Sequence, residues 1–197
     1  MSSVKASKEA SVIRDHASAR LGGLSPQRLL IITGLAVGAV LGFGGNFLPV
    51  GPAQTLTYAS SSLGIIMGSA LLAAWFAGQG KSTVAVGFAL LALAEGSVLL
   101  SVFALAGGTQ RPAFAFAAGT ALYVMALLVA SLPPVLPIWV RILGVLAAIP
   151  FATYALLSLL DQHPAPSDPL ASVGYVLLIL AIIGWIVTVL RATPASR

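Results

Sequence analysis

Six stretches of about twenty apolar residues run through this chain, at 29–48, 56–78, 83–106, 113–132, 138–160 and 170–190. An α-helix rises about 1.5 Å per residue, so roughly 20 residues cross the ~30 Å hydrocarbon core of a bilayer. Only 8% of the 197 residues are charged and 58% are hydrophobic, whereas soluble domains carry about 25% charged residues. A soluble fold of this length would lack the polar groups to cover its surface. The expectation is an all-α, polytopic transmembrane helical bundle of six spans, with lipid as its solvent.

The breaks between these segments carry turn chemistry: "LPVGPAQ", "GQGKS", "GGTQRP", "LPPVLP" and "DQHPAPSDP". Proline suits a helix start because its missing N–H would be unpaired there, and Pro112, Pro137 and Pro169 stand at such positions. The first apolar stretch exceeds the ~7–15 residues of a signal-peptide core and no small-residue cleavage site follows, so it reads as an uncleaved first span. The domain plan is a basic tail over 1–28, expected to be disordered, a six-helix membrane domain over 29–190, and a short tail over 191–197.

Basic residues favour the cytoplasmic side. With the N-terminus inside, Lys5, Lys8, Arg14, Arg20, Arg28, Lys81, Arg141, Arg191 and Arg197 fall inside, and Arg111 alone falls outside, with Asp161 and Asp168. This predicts a multi-pass protein of the cytoplasmic (inner) membrane with both termini cytoplasmic. Indole rings favour the headgroup level, and Trp75, Trp139 and Trp185 are expected at the inner interface, with Tyr58 and Tyr175 near the outer one.

The net charge of +5 does not point to nucleic acid. Such binding needs basic residues on one exposed face, and here they mark a membrane surface. There are no cysteines, no phosphate-cradling glycine loop, no nucleophile elbow and no HExxH. No catalytic residue, metal ligand or cofactor is therefore expected, and the chain does not read as an enzyme. Asp161, His163 and Asp168 are metal-ligand types, but their spacing in a proline-rich loop reads as solvated. His16 stands alone in the tail, and Asn46 reads as a capping or loop residue.

Lipid tails are as apolar as leucine, so helices associate through close backbone approach at small residues. Gly34, Gly38 and Gly42 form one stripe on the first span, Ser60, Gly64 and Gly68 another on the second, and Ala85, Ala89, Ala92 and Gly96 a third. These predict a tight core of spans one to three. The same stripes could serve a homo-oligomer or a membrane partner protein.

Glu95 lies near the middle of the third span, where an acid costs roughly 2.5–3.5 kcal/mol on insertion scales. Arg141 is about 12 Å away in depth, at about 1.5 Å per residue, and its long stem favours snorkelling to the interface. A neutral carboxyl there still needs hydrogen-bond partners. Tyr123 matches its depth in the fourth span, Ser69 is close to it in the second, and Pro150 frees the Leu146 carbonyl. Two readings stand: a proton or cation relay, or a neutral interhelical hydrogen bond worth ~0.6–2 kcal/mol. Only one embedded acid is present, which favours a non-enzymatic packing or partner protein over a small-solute or proton-coupled transporter using Glu95. A polar cavity reaching Glu95 would favour transport and a dry bundle would count against it. The two halves share no pattern that would make an inverted repeat.

"GGNFLPVG" closes the first span, Leu136, Pro137, Ile138 and Trp139 open the fifth before "VRILGVL", and Gly184 and Trp185 lie in the last. In this order of features the chain resembles small, uncharacterised bacterial six-helix integral membrane proteins. The resemblance implies the same six-helix plan and carries over no functional residue.

Overall fold

The computed structural model describes residues 25–106, 112–160 and 169–192. Six α-helices make up the described chain: α1 (Pro26–Gly45), α2 (Pro52–Ala77), α3 (Ser82–Ala106), α4 (Pro112–Ser131), α5 (Ile138–Leu159) and α6 (Pro169–Arg191). Five of them are long and apolar enough to cross a membrane. The apolar part of α4 is shorter, Ala115–Ser131. The tail before residue 25, Arg111, Asp161, His163, Asp168 and residues 193–197 lie outside the described residues.

Helix ends follow caps rather than hydropathy. The first helix begins three residues before its apolar stretch, because Pro26 takes the first turn and the Ser25 hydroxyl accepts from the Arg28 N–H at 3.4 Å. It ends at Gly45, where the Asn46 amide donates to the carbonyls of Gly42 and Phe43, both at 3.2 Å. Pro52 likewise starts α2 ahead of its apolar run. Between α2 and α3 the chain reverses in four residues. Gly80 adopts φ +73°, a left-handed conformation open to glycine, and the N–H groups of Lys81 and Gly80 reach the carbonyls of Phe76 and Ala77, both at 3.0 Å.

Each helix packs against its chain neighbours, and α6 returns to α1. Among the described residues no other pair of helix backbones comes close, so the six form a closed ring whose non-neighbouring helices meet only through side chains. Glycines mark the seams. A Cβ on Gly34 would stand 2.9 Å from the Gly64 carbonyl, and one on Gly68 2.7 Å from Leu35. Gly38 lies against Ile65, and Gly42 lies beneath the Tyr175 hydroxyl where α1 meets α6. Gly87 meets the Ala130 backbone between α3 and α4, Gly144 meets Ser131 between α4 and α5, and Gly174 meets Pro150 and Phe151 between α5 and α6.

Gly96 departs from the expected packing role. Nothing lies within 4 Å of where its Cβ would be, and Ala89 on the same stripe is exposed. The inward face of α3 runs instead through Val84, Phe88, Leu91 and Glu95, spaced three and four apart as one helical face requires. The small-residue stripe is only partly inward: Ala85 is buried and Ala92 half-buried, but the stripe turns outward at Ala89.

Aromatic rings pack the interior of the ring toward its basic end. Phe76 stacks on Phe88 with centroids 5.5 Å apart, and Phe88 meets the edge of Trp185 at 5.0 Å. Trp185 is thus a core residue, 2% exposed, and not the interfacial residue expected of it. Farther along, Tyr123 stacks on Phe151 at 5.0 Å.

Substituting Gly64 by leucine should destabilise the protein by about 1–3 kcal/mol through overpacking, read as detergent-solubilised unfolding. The same change at Gly96 should stay within about 0.5 kcal/mol. Equal losses at both positions would contradict the seam geometry.

Candidate functional site: a buried carboxyl between α2 and α3

Glu95 is the only acidic side chain among the described residues. It stands one residue past the midpoint of α3 and is 3% exposed. The Ser62 hydroxyl donates to its Oε1 at 2.7 Å, and Oε2 is buried with no hydrogen-bond partner among the described residues. This contact sits on the one seam, among the described residues, that no glycine tightens. At α2–α3 the helices are held by Phe76 against Phe88 toward one end and by Ser62 with Glu95 near the middle.

Neither expected partner reaches Glu95. Tyr123 is at the matching depth on α4, but its ring turns to Phe151 on α5. Ser69 is fully buried, and its hydroxyl has no partner. It lies two turns along α2 from Ser62, roughly 10 Å at ~1.5 Å per residue. Nor does the Leu146 carbonyl take part, since Oε2 is without a partner. Pro150 packs instead against Gly174, where a Cβ would stand 3.2 Å from its ring.

Ser62 was legible in principle. Ala77 and Ser82 flank the tight turn, so positions that sum to 159 (77 + 82) face one another across the antiparallel pair. Position 95 then faces position 64, and Ser62 is within one turn of it. Depth alone leaves the direction around each helix axis open, which is why Tyr123 and Ser69 were selected and Ser62 was not.

A second polar group lies beside the first, around α2. The Ser61 hydroxyl donates to the Gly38 carbonyl at 2.7 Å and lies 3.5 Å from the Tyr175 hydroxyl of α6. Nearer the end of the bundle the Tyr58 hydroxyl donates to Asn46 Oδ1 at 3.0 Å, and the Gln54 amide donates to the carbonyls of Gly45 and Leu48. Asn46 and its neighbours thus close the α1–α2 loop. No group of three metal-ligating side chains occurs among the described residues.

The opposite end of the bundle is basic. Arg28, Lys81, Arg141 and Arg191 all stand there, at the starts of α1, α3 and α5 and the end of α6. Arg28 donates to the Ala192 carbonyl at 2.6 Å and lies 5.8 Å from the Trp75 ring. Arg141 donates to the carbonyls of Ser131 and Leu132, both at 2.7 Å. Both arginines therefore cap helix C-termini, where the carbonyls lack partners and the dipole is negative.

A double-mutant cycle between Ser62→Ala and Glu95→Gln should give a coupling of about 0.6–1.7 kcal/mol, the range of buried interhelical hydrogen bonds in membranes. Zero coupling in unfolding measurements would remove Ser62 as the partner of Glu95. No family model, curated protein or solved structure matches the chain, and the site rests on its own geometry.

Proposed function

We propose that all six helices span a bacterial cytoplasmic membrane with both termini on the cytoplasmic side, and that the protein acts without enzymatic chemistry, as a packing or partner protein within the bilayer. The spans are supported by length: α4 has 20 residues, which at ~1.5 Å each reach about 30 Å. The orientation is supported by the clustering of Arg28, Lys81, Arg141 and Arg191 at one end.

The observation that carries the functional reading is the aromatic plug between Glu95 and the basic end. Phe76, Phe88 and Trp185, each 2% exposed or less, close the ring between Glu95 and the basic end. The cleft at that end is lined by eleven residues, and Glu95 is not one of them. With Ser62 as partner, Glu95 serves as a hydrogen-bonded clip across the seam without glycine. The small-residue face of α3 at Ala89 and Gly96, not packed against by the described residues, offers close backbone approach to a membrane partner or a second copy.

One observation favours a second reading, proton-coupled transport. Glu95 keeps an oxygen without a partner, and the hydroxyls of Ser61, Tyr175 and Tyr58 lie toward the end away from the basic residues.

Two measurements test these readings. Reporter fusions should place residues 1 and 197 in the cytoplasm and the connections at 107–111 and 161–168 outside. Liposomes containing the protein and an internal pH dye should pass protons no faster than protein-free liposomes under an imposed potential. A flux that Glu95→Gln abolishes would overturn the packing reading in favour of transport.

A further inference from the structure

The mouth of the ring at its basic end is an open cleft of about 210 Å³. Its lining comes from the end of α2, the α2–α3 turn, the α4–α5 connection, the first turn of α5 and the last turn of α6. Helices α2 and α5 lie across the ring from each other, so this is the opening of the bundle axis and not a groove on its flank. Phe76 is its floor. We infer that this mouth binds a phosphate-bearing anion, either a phospholipid headgroup or a small soluble phosphate.

Charge is the first argument. Lys81 and Arg191 line the cleft and none of the eleven lining residues is acidic. Glu95, the only carboxyl among the described residues, lies beyond Phe76 and Phe88. The dipole of α6 favours a cation at Arg191, in its last turn, but among the described residues neither Lys81 nor Arg191 takes up a helix-end carbonyl. Arg28 already sits on the carbonyl that follows α6, and Arg141 on those at the end of α4. Lys81 donates only to the neutral Gln79 side chain, at 3.0 Å, which leaves ammonium protons unused. The Arg191 guanidinium has no hydrogen bond or ion pair among the described residues, and its five donors form a fork suited to phosphate oxygens.

The walls are the second argument. Trp75 and Trp139 flank the cations, a pairing that suits the level where headgroups meet hydrocarbon. Basic pockets between helices at that level take anionic headgroups. The volume is below the ~300–1,000 Å³ of pockets that enclose drug-sized ligands. It therefore suits a headgroup-sized anion. The inference goes beyond the proposed function: it needs neither reading of Glu95, nor a choice of which compartment the basic end faces.

The test uses the full chain in two arms, with tryptophan emission as the readout. In maltoside micelles at fixed ionic strength it is titrated with inorganic phosphate and glycerol 1-phosphate. In nanodiscs of phosphatidylcholine the share of phosphatidylglycerol is raised stepwise. We expect a saturable change in at least one arm. Response to soluble phosphate assigns a soluble ligand, and response only to phosphatidylglycerol assigns a headgroup. Arg191→Gln and Lys81→Gln should each weaken binding about tenfold, as expected for losing a charge-assisted hydrogen bond. Trp139→Phe should remove much of the signal, and Lys5→Gln, which deletes the same charge from the tail, should change nothing. Size-exclusion profiles identical to the parent establish that the variants fold. The inference is overturned if neither arm saturates, if Arg191→Gln and Lys81→Gln bind like the parent, or if Lys5→Gln weakens binding as much as they do.

Discussion

With hydrocarbon outside, helices gain nothing by hiding leucine from the solvent, so what holds them together is contact itself. Contact is densest where backbones touch, and backbones touch where side chains are absent. Every seam of this ring but one follows that rule among the described residues. Gly34, Gly38, Gly64 and Gly68 interleave α1 with α2 until each glycine faces the other helix's backbone or a side chain at its root. One or two glycines do the same at each of the remaining seams. At the closing seam the Tyr175 ring of α6 lies over Gly42 of α1, and a side chain at position 42 would displace the Tyr175 hydroxyl.

A ring of six helices leaves an interior that must be filled, and this chain fills its two halves differently. Toward the basic end three aromatic rings interlock, contributing dispersion and edge-to-face contacts without any need for hydrogen bonding. The cost is an orphaned Trp185 N–H. Away from that end the Tyr123–Phe151 stack is joined by hydroxyls, each of which needs a partner where the medium supplies none. Ser61 and Tyr58 find partners in a neighbouring carbonyl and an amide oxygen.

Glu95 belongs to this economy of polar groups. Its seam has no glycine at close approach, and the hydrogen bond from Ser62 is the polar contact that joins α2 to α3 near mid-helix. Such a bond is modest in free energy but strongly directional. It selects one rotation of each helix about its axis, which apolar packing alone fixes less sharply. The α2–α3 turn has already fixed the register, through the left-handed Gly80 and its two reversed hydrogen bonds.

The apolar stretches by themselves determined that the described residues are all-α, that six helices run through them, and roughly where those lie, because a backbone in oil must satisfy its own hydrogen bonds and only a helix does so locally. The glycine spacing on α1 and α2 was equally plain, since a fourfold repeat puts those residues on one line whatever the partner is. The small-residue stripe of α3 misled, because a smooth face is not an inward face unless another backbone comes to it, and none meets Gly96. Trp185 misled in the same way: its place along the helix suited an interface, but its direction was inward, onto Phe88. The partner of Glu95 was misplaced for one reason throughout. Sequence gives distance along a helix axis, which settles depth. Only the packed ring settles the angle around that axis, because the angle is a compromise among all neighbours at once, and it is the angle that turned Tyr123 toward Phe151 and brought Ser62 to the carboxyl.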